Sequence, residues 1–99
     1  MVMHEKARTQ RVPVEQYMQF QSFVRLVSRD PANNRNRFYL LTKQPAFCGD
    51  LAIMGIWGRC GTAGRTRILC STRQPNAQAI VARILRRRLH RGYQVAAWE

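Results

Sequence analysis

Acidic residues are scarce in this chain: five Asp+Glu stand against 17 Lys+Arg in 99 residues, a formal charge of +12 at pH 7 and a pI near 11.4. Lysine is scarce too, with Lys6 and Lys43 the only two, so the cations are almost all guanidinium groups. High-GC codon usage would favour Arg over Lys, but it does not explain the shortage of acids. The only histidines are His4 and His90, and neither has a nucleophile and a carboxylate nearby in sequence, so nucleophilic catalysis has no basis here. Cys48, Cys60 and Cys70 are odd in number and show no Cys-x-x-Cys spacing. A disulfide framework or zinc ribbon is therefore not indicated, and a zinc site from these three and His90 lacks paired spacing. No Gly-Lys phosphate loop or dinucleotide fingerprint occurs, and no stretch approaches 18 apolar residues. The expectation is a non-enzymatic, reduced, cytoplasmic protein with no cofactor, metal, small-molecule substrate or membrane partner.

At this length one domain is expected, and the 45% hydrophobic content suffices for one small core. Residues 1–16 mix charges with Pro13 and show no period, which reads as a flexible arm. Residues 17–28, with Phe20, Phe23, Val24, Leu26 and Val27, read as a strand that stops at the turn-prone Asp30-Pro31-Ala32-Asn33-Asn34. Residues 37–44 make a second strand and 51–58 a third. Gly61-Thr62-Ala63-Gly64 forms a tight turn into a fourth strand at 65–71.

From residue 72 the period changes: Ala77, Ile80, Val81, Ile84, Leu85 and Leu89 recur at three- and four-residue steps, an amphipathic helix. Ser71 with Gln74 fits a capping box, Pro75 suits the first turn, and Gly92 is placed to end the helix after Arg91. The outline is α+β: an antiparallel sheet of four to five strands with one amphipathic helix packed on one face, spanning residues 17–99 and ending in a short tail.

The stretch Ile-Trp-Gly-Arg-Cys-Gly-Thr-Ala-Gly at 56–64 resembles the signature of the WGR domain, named for its Trp-Gly-Arg tripeptide. Asp30, the Asn-Arg-Asn-Arg-Phe-Tyr run at 34–39 and the Arg-Leu-His-Arg-Gly-Tyr run at 88–93 also look like that family's pattern, in matching order, so the resemblance covers about residues 22–95. It implies the same antiparallel sheet with a helix, and it implies nucleic-acid binding. In poly(ADP-ribose) polymerases, domains of this family sit at DNA breaks; the motif tryptophan packs on the terminal nucleotide, and polar and basic neighbours hold phosphates, including the 5′ end. The separate transferase domain of those polymerases has no counterpart in these residues, and small bacterial WGR proteins look like the nearer relatives. Cys60 stands where the family usually has an aliphatic residue. Gly55 and Ile56 stand where bacterial relatives tend to be polar.

Carried onto this chain, the resemblance implies a nucleic-acid-binding set of Trp57, Gly58, Arg59, Arg88, Arg91, Arg37, Asn34, Tyr39 and Arg87. Read without it, Trp57 is ordinary core, Arg59 is a bridge to Asp50 or Asp30 that holds the loop, and Gly58 lets a sugar or base approach the backbone. Arg88 projects into the middle of the helix's apolar stripe, where an unpaired charge is expensive. It either snorkels past the sheet edge or turns to the groove beside Trp57 and meets a phosphate. DNA with an exposed end is the expected ligand, ahead of RNA. The strand at 51–58 is apolar on both sides, Leu51, Ile53, Gly55 and Trp57 on one and Ala52, Met54 and Ile56 on the other. One side would meet the helix; the other, together with the basic helix, is the alternative docking surface for a homodimer or an acidic protein partner.

Overall fold

Alternation decides the first strand: in β2 (Phe23–Asp30), Val24, Leu26 and Ser28 turn inward while their neighbours are half-exposed or exposed. The structure, a computed structural model, describes residues 4–5, 20–45, 50–72 and 74–99. In chain order it runs β1 (His4–Glu5), β2, a 3-10 turn (Pro31–Asn33), β3 (Arg35–Pro45), β4 (Leu51–Arg59), β5 (Arg65–Thr72), α1 (Gln74–His90) and β6 (Gln94–Trp98). Strands β2 to β6 form an antiparallel sheet in the order β6-β2-β3-β4-β5, which the two-residue β1 extends along β6. The α+β architecture and the strand count therefore stand as expected. The residues read as a tail supply the fifth strand, placed beside β2 rather than at the end of the chain order.

Short-range chemistry sets the two hairpins that matter here. Between β2 and β3, Asn34 takes a left-handed conformation (φ 52) and its N–H donates to the Pro31 carbonyl at 3.1 Å, while the Asn33 amide donates to the Asp30 carboxylate at 2.6 Å. Between β4 and β5, Gly61 and Gly64 adopt φ of 89 and 74. The helix ends in a Schellman cap: Gly92, φ 93, donates to the Leu89 carbonyl, and Tyr93 to that of Arg88, both at 3.1 Å. The expected stop at Gly92 is in place. The proposed capping box involves side chains outside those described, as does the arm apart from His4–Glu5.

Helix α1 covers one face of the sheet. Ala77, Val81 and Leu85 pack on Val24 and Leu26 of β2, Leu41 of β3 and Ile53 of β4, with Val95 and Trp98 from β6. Burying each large aliphatic chain here contributes about 1.5–3 kcal/mol. On β4 it is the side with Ile53, Gly55 and Trp57 that faces the helix, and Leu51 and Trp57 close the margin of this core. No helix among the described residues is long and apolar enough to cross a membrane.

Candidate functional site

The register of the sheet places the signature residues in rows. Arg37 of β3 pairs with Arg59 of β4, and Tyr39 with Trp57, all four on the helix side. Two arginines thus occupy paired positions next to a paired tyrosine and tryptophan. Tyr39 is buried and its ring stacks on that of Trp57, centroids 6.1 Å apart with 17° between planes. Trp57 itself is only half-buried. Gly55 makes room for the arrangement, since a Cβ there would stand 2.7 Å from the Tyr39 hydroxyl.

Arg88 resolves the conflict seen in the helix period. It lies in the apolar stripe, yet its guanidinium sits 4.0 Å above the centre of the Tyr39 ring and 5.5 Å from that of Tyr93. Aromatic faces receive the charge without neutralising it. The helix cap fixes Tyr93 in this position, because the residue after Gly92 is the one whose N–H returns to Arg88. Burial pushes the Tyr39 hydroxyl above its ordinary pKa, with the Arg88 charge pulling partly back.

Arg37, Trp57, Gly58, Arg59, Arg88 and Tyr93 together line an open groove of about 450 Å³. Five of these six are among the sequence-predicted residues. Tyr39 forms the floor beneath Arg88. Asn34 joins through Arg59, whose guanidinium donates to the Asn34 side-chain oxygen at 2.9 Å and to its carbonyl at 3.3 Å. The expected carboxylate bridge is therefore corrected: Arg59 holds the loop, but through a neutral amide. Asp30 is engaged instead by Asn33, whose hydrogen bond holds its carboxyl below the usual range, and by Arg35 at 3.9 Å. That is the one ion pair among the described residues, so no described carboxylate neutralises Arg37, Arg59 or Arg88.

Gly58 has a different local reason from the one its sequence suggested. A Cβ there would meet the Gly64 Cα at 2.9 Å and the Thr62 hydroxyl at 3.3 Å, so the β4–β5 turn fills the space that the missing side chain leaves. Arg87 and Arg91 are exposed and do not line the groove. Among the described residues no cluster of His, Cys, Asp or Glu could hold a metal ion; Cys48 lies outside them.

Sequence reasoning passed over three residues here. Tyr93 reads as a packing aromatic, and its role follows only from its place after the cap. Arg65 pairs with Trp57 from the β5 side, and Arg67 with Gly55, so both exposed arginines share the groove's sheet face. Counting outward from a Gly61–Gly64 turn pairs Arg65 with Cys60 and Trp57 with Ile68, so the observed register, with Arg65 opposite Trp57, was not legible there.

The profile described as "WGR domain" matches residues 22–98. The uncharacterized protein y4dW of Sinorhizobium fredii is 31% identical over 65 residues, 66% of this chain. The matched region is 32% of that relative, so the chain spans about a third of its length. No solved structure matches the chain significantly.

Proposed function

The chain belongs to the WGR domain family, a nucleic-acid-binding module, and from that membership we propose that it binds DNA at exposed ends, with the terminal nucleotide on Trp57 and the adjoining phosphates on Arg37, Arg59 and Arg88. One observation carries this reading: three arginines with no carboxylate partner among the described residues line one open groove beside a half-exposed indole. Side-by-side cations repel, and a polyanion relieves that repulsion. Guanidinium groups grip phosphate with two parallel hydrogen bonds, and an indole face stacks on a base or sugar for about 1–3 kcal/mol. The role is binding and not catalysis.

Little base preference is expected. The groove offers arginine and aromatic faces suited to backbone and sugar contacts, which carry no sequence information. A titration of 5′-phosphorylated linear duplex, unphosphorylated linear duplex and minicircle, repeated with Trp57→Ala, tests the proposal. Preference for linear over circular DNA that collapses in Trp57→Ala supports it. Equal affinity for all three DNAs, unchanged by Trp57→Ala, overturns it, and tighter binding to structured RNA than to any DNA end reassigns the ligand.

A further inference from the structure

Helix α1 carries a second basic surface that the groove does not use. With Val81 in the buried stripe as reference, 100° per residue puts Arg88 about 20° away, over the sheet. Arg83, Arg86, Arg87 and His90 fall about 120–180° away, and all four are exposed. They form a ridge along the back of the helix, pointing away from the sheet. Arg91 stands on its shoulder.

No described carboxylate offsets this charge. The sequence of α1, QPNAQAIVARILRRRLH, contains no acid, and none of its arginines has an ion-pair partner among the described residues. Arg83 and Arg87 lie one turn apart, as do Arg87 and Arg91, and like charges at that spacing destabilise a helix. Attraction to the negative helix end accounts for Arg87 and His90 in the last turn, but it fades within that turn. Arg83 lies two turns before His90 and Arg86 one, so the helix end does not explain them. A solvated face built for solubility alone would mix signs, and this one does not.

We infer that this ridge is a second phosphate-binding surface, independent of a DNA end, which takes the backbone of a duplex so that one copy of the domain holds nucleic acid on two sides. From Arg83 to His90 the ridge spans about 10 Å of helix axis. Duplex DNA presents a charge about every 1.7 Å of its own axis, so several phosphates face the ridge at once. Contacts from these arginines to phosphate oxygens carry no sequence information, so binding through them is sequence-blind.

The test uses closed minicircle DNA, which has no terminus for the groove, and the triple variant Arg83→Gln/Arg86→Gln/Arg87→Gln, whose folding is checked by circular dichroism. The wild type is expected to bind the circle with marked salt dependence. In the variant, circle affinity falls at least tenfold, the slope of log K against log salt becomes less negative by about 2.7, and preference for linear over circular DNA rises. A triple variant that binds the circle with unchanged affinity and slope overturns the ridge, as does a wild type that ignores circles. Loss of end preference in Trp57→Ala belongs to the groove alone, so either surface can fail without the other.

Discussion

At the residue scale the site is a column of three groups, the Arg88 guanidinium on Tyr39 and Tyr39 on Trp57. Arg88→Lys keeps the charge but loses the planar stack and the two-pronged grip on phosphate. Affinity for linear DNA is expected to fall about five- to thirtyfold, about 1–2 kcal/mol. The salt slope stays where it was, because the number of neutralised phosphates has not changed. A salt titration of the variant checks both halves. Tyr39 adds a pH dependence. Its hydroxyl pKa is raised by burial, so the folded state holds that proton more tightly than the unfolded chain does. The resulting stability is fully present below about pH 10 and is lost as pH rises through the folded value. Denaturant melts at pH 9 and 11 should show a smaller alkaline loss in Tyr39→Phe than in wild type. The conflict at Arg88 was legible in the sequence, because a charge in an apolar stripe must find a receiver. The partner of Arg59 was not, since Asn34 reaches it only after two hairpins have closed.

At the scale of elements, glycines with positive φ decide where strands and helix turn. Gly64 has φ 74, and a Cβ there would fall 2.5 Å from the Trp57 carbonyl oxygen and 2.8 Å from Phe38. Gly92 has φ 93 and open space around it. Gly92→Ala therefore carries only the left-handed backbone cost, about 1–2 kcal/mol, whereas Gly64→Ala adds a steric clash in the strand that bears the tryptophan. Thermal melts should show a drop of about 4–8 °C per kcal/mol, with Gly64→Ala the less stable of the two. Equal melting temperatures would mean the turn relaxes freely. Four strands and the helix were readable because their periods and breakers agree. Strand β6 was not, because Gln94–Trp98 is only five residues with two alanines and a register shift opposite Arg25 and Leu26. Its pairing with β2 is a long-range choice made by packing, in which Val95 and Trp98 reach the core.

Across the whole molecule, position separates specific binding from the effect of net charge. The sheet divides the basic residues: Arg37, Arg59 and Arg88 line the groove, and Arg65 and Arg67 at the exposed edge strand share its face. Arg25 and Arg29 belong to β2 and point to the opposite face, where Arg25 lies over Phe38 at 5.8 Å. If five phosphates meet the five groove-side arginines, log K against log salt should slope at about −3.5 for a single strand and −4.5 for a duplex. If +12 alone drew nucleic acid, any two arginines would be equivalent. On the groove reading they are not: Arg65→Gln/Arg67→Gln should make the slope less negative by about 1.4–1.8, and Arg25→Gln/Arg29→Gln should move it far less. Both double variants lower the net charge by the same amount, so salt titrations of the pair cancel the long-range field. Equal shifts in the two would leave a diffuse cationic attraction as the only force at work. Unequal shifts in the stated order locate the nucleic acid on the face that carries Trp57, with its backbone leaving the groove over β5.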